Sequence, residues 1–289
     1  MSMTSRHDPD AAFAAAMAGQ RYDGTWPVQA LTPAPVPPAA LVAGTPASRP
    51  EEIPIGNGEV GGPIRLDLSK LIDGRLLIQG VSGAGKSWTV RRLLECSAGM
   101  IQQIVIDPEG EFRSLADELG HLHVDGAVLD AAAMALLAGR VREHRLSLVL
   151  DLSEMGREGQ MIAVAAFLGA LIECPREHWH PVLIAIDEAH LFAPFGGQSA
   201  ASSSVRKAAI SAVTDLMSRG RKRGLAGVLA TQRLARLAKS VASEVHNFLI
   251  GLNTLDLDIR RAAETIGWDT RRAFDRLPLL HPGDFGAVG

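Results

Sequence analysis

Short apolar runs of four to seven residues recur along the chain from Leu76 onward, most of them bounded by glycine, proline or acidic residues. The main ones are Leu76 to Gln79, Ile101 to Ile106, Leu146 to Leu152, Val182 to Ile186, Gly227 to Ala230 and Phe248 to Leu252, with a shorter candidate at Leu122 to Val124. Runs of this length without polar alternation fit strands buried on both faces. Helical patterns lie between them. Trp88 to Ala98, the alanine-rich Ala127 to Arg142, and Met155 to Ile172 each read as a helix, the last apolar nearly all round and therefore buried. Val205, Ala209, Val213, Leu216 and Met217 form one stripe at helical spacing, and Gly224 suits its end. Two short helices capped by Thr254 and Asp269 follow, then a last strand over Asp284 to Val288. Short apolar strands alternating with helices predict an α/β fold, a mostly parallel sheet with helices on both faces.

The first fifty residues do not share this pattern. Asp10 to Ala18 reads as an amphipathic helix, with Asp8 or Pro9 at its start. Leu31 to Pro50 is rich in proline and alanine and reads as a semi-rigid linker. Ile53 to Pro63 holds four glycines and two prolines and reads as loop or irregular strand, and Ile64 to Leu68 alternates like an edge strand. The expected organisation is therefore an N-terminal helix and linker over 1–50 and one domain over 51–289.

Composition narrows the class. With 289 residues, 47% of them hydrophobic, the chain can build one sizeable core. A net charge of −3 provides no global basic field, so any nucleic-acid contact has to come from a local patch or from the lumen of an oligomer. The two cysteines, Cys96 and Cys174, are far apart and outside any metal spacing, as in a reduced, cytoplasmic protein. No signal peptide is read, and the apolar, uncharged run Met161 to Ile172 is too short to span a bilayer, so no membrane insertion is expected.

The chemistry concentrates at the ends of the apolar runs. After Leu76 to Gln79 come Gly80, Val81, Ser82, Gly83, Ala84, Gly85, Lys86 and Ser87, the P-loop pattern G-x-x-x-x-G-K-[ST], with a helix beginning at Trp88. Glycines let successive backbone N–H groups curl around phosphate oxygens, and the helix points its positive end at the same place. Gly80, Ser82, Gly83, Ala84, Gly85, Lys86, Ser87 and Trp88 are thus expected to bind ATP, with Lys86 at the β- and γ-phosphates and Ser87 on Mg2+. Val182 to His190, VLIAIDEAH, ends a strand in two acids at the sheet edge where ligands of such folds bind. Asp187 fits the role of steering Mg2+ through its water shell, and Glu188 that of the base acting on the attacking water. Asp187-Glu188 would by itself read equally as a helix-capping acid pair; the upstream P-loop favours the catalytic role.

Three further stretches supply candidates. Ala230-Thr231-Gln232 ends another strand, where Gln232 is placed to sense the γ-phosphate and hold the lytic water. Ile106 to Phe112, IDPEGEF, puts Glu109 and Glu111 past a neighbouring strand, the other position where such a site can keep its base. Arg219, Arg221, Lys222 and Arg223 cluster at a helix end. Cations there complement the helix dipole, and one of them, Arg221 for preference, is also placed to act as an arginine finger in a neighbouring subunit. Ala193 to Ser204 reads as a surface insertion or a loop facing a ring's channel.

With GVSGAGKS, IDPEGEF, LIAIDEAHLF, RGRKRGL and LATQRLARLAKSVASEVHNFLIG assembled, the sequence from Ile64 onward resembles the HerA/FtsK superfamily of DNA-pumping ATPases, HerA-like members above all. The resemblance implies a RecA-like P-loop core, a homo-hexameric ring, double-stranded DNA threaded through its centre, and translocase or helicase activity. Carried over residue by residue, it puts Lys86 and Ser87 on ATP and Mg2+, makes Asp187 and Glu188 the acidic pair, Gln232 the sensor and Arg221 the trans arginine. Such proteins usually carry an N-terminal β-barrel and continue beyond the HPGDFGAVG-like segment. Here Met1 to Pro50 is short and linker-like, which counts against a nuclease partner docking on a barrel, and the chain reads as truncated or minimal. Two other functions fit the same motifs: a type IV secretion-like ring ATPase moving protein, and a slow nucleotide-gated regulatory protein. An ABC-type ATPase does not fit, because Gly196 to Gln198 follows the acidic motif where the LSGGQ signature should precede it.

Overall fold

The computed structural model describes residues 52–59, 61–196 and 201–289. The expected helix and linker of the first fifty residues, and residues 197–200 of the loop after the acidic motif, lie outside the described residues.

The described chain opens with a hairpin, β1 (Glu52–Asn57) antiparallel to β2 (Pro63–Asp67), with a register shift between Pro54 and Gly56. Asp67 then caps α1 (Leu68–Gly74) by accepting from the backbone N–H groups of Ser69 and Lys70. There follow β3 (Leu76–Gln79), α2 (Lys86–Ser97), β4 (Gln102–Asp107), α3 (Arg113–Leu119), β5 (Leu122–Asp125), α4 (Ala131–Glu143), β6 (Leu148–Asp151), α5 (Arg157–Ile172) and β7 (Val182–Ile186). The last part comprises α6 (Ser203–Arg219), β8 (Leu225–Thr231), α7 (Lys239–Ala242), β9 (Asn247–Ile250), α8 (Asp256–Ile266), α9 (Thr270–Arg276) and β10 (Gly286–Val288).

Strands β3 to β10 form one eight-stranded sheet in the order β10-β9-β3-β8-β7-β4-β6-β5. All neighbours are parallel except β10, which runs antiparallel to β9. The expected parallel sheet is therefore present, with one antiparallel edge. Alternate residues of each strand go to opposite faces. Leu77, Ile104, Ile106, Leu148, Leu150, Ile184 and Leu229 join the core under α4, α5, α6 and α8, together with Met134, Leu137, Val164, Phe167, Val213 and Ile259. Leu76, Ile78, Val105, Val149, Leu183 and Val228 join the second core, with Leu71 of α1, Val90 and Leu93 of α2, Leu115 of α3 and Ile53 of β1. Fully burying each such side chain contributes about 1.5–3 kcal/mol.

Several expected boundaries move. α2 begins at Lys86 and not at Trp88, because the P-loop's own polar residues make its first turn. The stretch 64–68 is not an edge of the main sheet; it pairs only with β1, in a hairpin that packs on α2 through Ile53. The helix expected from Ala127 starts at Ala131, where the Asp130 carboxylate accepts from Ala133 N–H, and residues 126–128 make a tighter turn. Thr254 caps nothing. α8 follows Leu255 and carries Asp256 and Asp258 in its first turn, whereas Asp269 caps α9 as expected. α5 is buried apart from positions such as Ile162, which is exposed. Cys96 and Cys174 are both free thiols, Cys174 buried and Cys96 half-buried.

Candidate nucleotide site

The parallel strands all end on one edge, and the sheet order decides what meets there. β8 lies between the P-loop strand β3 and the acidic strand β7, so Gln232 emerges between Lys86 on one side and Glu188 on the other. On the far side of β7 lies β4, whose end carries the IDPEGEF turn.

The P-loop is anchored at both ends by backbone hydrogen bonds. Val81 N–H donates to Leu252 O at 2.9 Å, and Ala84 N–H to Val81 O at 3.1 Å. Beneath it, Gln79 and Asn253, both fully buried, exchange side-chain hydrogen bonds at 2.5 and 2.7 Å, so the loop rests on a satisfied polar pair. Gly85 takes φ +96°, outside the range L side chains adopt readily, and a Cβ there would come within 3.0 Å of the backbone N of Gly283. The C-terminal turn thus presses on the P-loop, with Gly283 N–H donating to Ala84 O at 3.0 Å.

An open cavity of about 620 Å3 is lined here by Ser82, Gly83, Gly85, Lys86, Ser87, Trp88, Glu111, Glu188 and Gln232, and further out by Ile55, Thr89, Arg92, Pro282 and Gly283. Of the sequence-derived candidates, Gly80 and Ala84 are buried behind the loop and do not line the cavity. Asp187, next to Glu188 in the chain, is buried and does not line it. Glu111 reaches the cavity; Glu109 does not and points to solvent. Arg221 sits at the opposite, amino edge of the sheet, ahead of β8, where its Nε lies 2.7 Å from Asp73 Oδ1 in an exposed ion pair.

The acids are handled differently from one another. Asp187 Oδ1 is buried with no hydrogen-bond partner, and burial, followed by the charge of Glu188, pushes its carboxyl up to about 7. Burial would also raise Glu188, but His190 and the Gln232 N–H bond its carboxylate and Lys86 adds its charge, which together hold it below the ordinary carboxylate range. Glu188 Oε2 accepts from Gln232 N–H at 3.1 Å and lies 3.1 Å from His190 Nδ1; Oε1 lies 3.9 Å from Lys86 Nζ. Lys86 Nζ also donates to Val81 O at 3.3 Å. Asp107 is a structural cap: it accepts from the backbone N–H groups of Glu109, Gly110, Glu111 and Phe112. Burial outweighs those bonds and raises its carboxyl.

A strand, phosphate loop and helix, facing an acid-ended parallel strand with a polar residue between them, define a P-loop nucleoside triphosphatase fold. Residues 53–164 match the family model described as "Helicase HerA, central domain". Among solved structures, the chain is similar to VirB4 of Thermoanaerobacter pseudethanolicus at 15% identity and TM-score 0.63, over 82% of this chain and 93% of that one. It is similar also to the genome packaging NTPase B204 of Sulfolobus turreted icosahedral virus 2 in complex with ATP-gammaS, at 15% identity and TM-score 0.52, over 75% and 92%. The cytoplasmic domain of the Thermomonospora curvata Type VII Secretion ATPase EccC matches at 19% identity and TM-score 0.50, over 88% of this chain and 30% of that one. A search of curated proteins finds no match. The family match thus covers residues 53–164, and the likeness to the solved structures shows a shared P-loop ATPase fold. No helix among the described residues is long and apolar enough to cross a membrane.

The cavity residues that sequence reasoning missed, Ile55, Thr89, Arg92, Pro282 and Gly283, come from the hairpin, from the first two turns of α2 and from the C-terminal turn. None carries a local motif. His190 stood inside a recognised stretch, yet its contact with Glu188 depends on the turn after β7.

Proposed function

We propose that the chain hydrolyses ATP with Mg2+ as a hexameric ring of identical copies and uses the cycle to translocate or unwind double-stranded DNA. The observation that carries the reading is the convergence of Lys86, Glu188 and Gln232 on one cavity, with a buried carboxylate carrying an unpartnered oxygen, Asp187, next to Glu188 in the chain. That bare Asp187 oxygen, with the Ser87 hydroxyl on the cavity wall, fits a Mg2+ site in which Ser87 binds directly and Asp187 through water. Bound there, Mg2+ would neutralise charge on the phosphate oxygens.

The chain's own groups divide the remaining work. P-loop N–H groups and Lys86 hold the phosphates, Gln232 orients the water and senses the γ-phosphate, and Glu188 takes the water's proton through a carboxylate kept ionised by its neighbours. Glu111, at the cavity wall, is the second carboxylate within reach. Arg221, on the far edge from its own cavity, is assigned to a neighbour's site, which makes the reading depend on assembly. Likeness to a genome packaging NTPase supports DNA as the substrate. Likeness to a secretion ATPase supports the second reading, movement of protein.

The test is ATP turnover with and without duplex DNA, alongside sizing in the presence of an ATP analogue. Duplex DNA should raise turnover several-fold, Lys86→Ala should abolish it, and the analogue should yield a ring. Turnover in a ring that no DNA stimulates would transfer the case to protein movement; full turnover by a monomer with Arg221 dispensable would overturn the ring mechanism.

A further inference from the structure

Glu188 stands in an unusual backbone state. Its φ is +43°, one of three positive values among the described non-glycine residues. A non-glycine residue in that region is strained and persists where surrounding contacts fix it. Here the contacts are specific. Oε2 accepts from the Gln232 N–H at 3.1 Å and meets His190 Nδ1 at 3.1 Å, while Oε1 has only Lys86, 3.9 Å away, on the cavity side. The same Nδ1 lies 3.0 Å from Thr231 Oγ1, which itself accepts from Arg233 N–H at 3.1 Å. His190 therefore spans from the turn after β7 to the end of β8, and its side chain is nearly buried at 13% exposure.

The proton's place follows from the neighbours. An ionised carboxylate can only accept. A contact of 3.1 Å between it and Nδ1 is a hydrogen bond only if Nδ1 carries the proton, and Thr231 Oγ1 then shares that proton as a second acceptor. With two donors on Oε2, the lone pairs of Oε1 remain for the water.

We infer that His190 is a positioning residue for hydrolysis: its Nδ1–H, with the Gln232 N–H, pins Glu188 Oε2 so that Oε1 is the oxygen presented to the attacking water. The inference rests on the reading of Glu188 as the base. His190 does not itself line the cavity, so it acts on the rate through Glu188 and leaves nucleotide binding alone.

The experiment uses the full chain and compares wild type with His190→Phe and His190→Asn, in native and Glu188→Gln backgrounds. Asparagine can place an N–H donor near the position of Nδ1; phenylalanine keeps the ring and removes the donor. Each is assayed for kcat and KM in ATP hydrolysis and for affinity toward a fluorescent ATP analogue. Removing the donor should lower kcat about 10–100-fold, a fraction of what losing a general base costs, with KM and analogue affinity within about twofold. Asparagine should restore most of the rate, and on the Glu188→Gln background His190→Phe should change nothing further. Unchanged kcat in His190→Phe overturns the inference, and so does an equal loss of kcat and affinity that asparagine does not rescue. An active wild type with an indifferent His190 leaves the ATPase reading standing; a wild type that binds ATP without turning it over removes both.

Discussion

Replacing Asp107 with asparagine tests how the IDPEGEF turn is held, and with it how Glu111 reaches the cavity. In the structure Oδ1 accepts from three backbone N–H groups, those of Glu109, Gly110 and Glu111, at 3.3, 2.8 and 3.1 Å, while Oδ2 accepts from the buried Phe112 N–H at 2.8 Å. Asparagine has one acceptor oxygen and an NH2 group. If the oxygen stays with the three N–H groups, the NH2 confronts the Phe112 N–H, a donor against a donor. Leaving that N–H unsatisfied costs about 1–3 kcal/mol, and the other bonds lose charge assistance worth roughly 0.5–1.5 kcal/mol in all. The sum is about 1.5–4.5 kcal/mol, which in a domain of this size lowers Tm by roughly 3–18 °C. Thermal unfolding of Asp107→Asn beside wild type, followed by circular dichroism, measures it directly. A loss below about 0.5 kcal/mol would show that the four-bond cap does not hold the turn, and the placement of Glu111 would then need another cause.

Gly85→Ala should weaken ATP-analogue binding at least ~10-fold, since it combines φ +96° with a 3.0 Å approach to the Gly283 backbone; Gly83→Ala, whose Cβ would meet nothing within 4 Å, should cost less, and equal losses by calorimetric titration would refute the close-approach argument. Arg142 is fully buried, donating to His180 O and Arg223 O at 2.9 and 3.0 Å, so Arg142→Ala should destabilise by about 3 kcal/mol in urea unfolding, and a loss under 1 kcal/mol would count against its bracing role. Burial, followed by the charges of Arg142 and Arg145, lowers His180 from 6.5 to about 4. The unfolded chain binds that proton near pH 6.5 and the folded chain only near 4, so stability is full above 6.5 and falls with pH through that window. Its partial exposure screens the effect to on the order of 1 kcal/mol. His180→Gln should flatten Tm between pH 7 and 4.5, and an unchanged slope would refute the assignment.

Local pattern carried much of the fold. The P-loop, the two acids after β7 and the strand ending at Gln232 could each be read from a few adjacent residues, because strand, turn and helix there follow short-range sterics and capping. What was not legible depends on partners distant in the chain. Nothing near Gln232 says that β8 inserts between β3 and β7, which is what brings its backbone N–H to Glu188. The glycines and prolines of 53–63 obscured β1, which is held by β2 and by Ile53 packing on α2. Asp107 ends β4 and caps its turn through backbone N–H groups, which local pattern does not reveal. Thr254 looked like a cap, yet the chain instead commits Asp258 to bonding Arg233 and Ala235 N–H.

The most direct measurement for the whole account is Glu188→Gln, assayed for ATP affinity and for phosphate release in a single turnover. Glutamine keeps the shape and loses the base, so ATP should still bind within a few-fold of wild type while release slows by about 10²–10⁴-fold. Phosphate release at the wild-type rate would contradict a hydrolytic site built on Glu188 and return that role to Glu111.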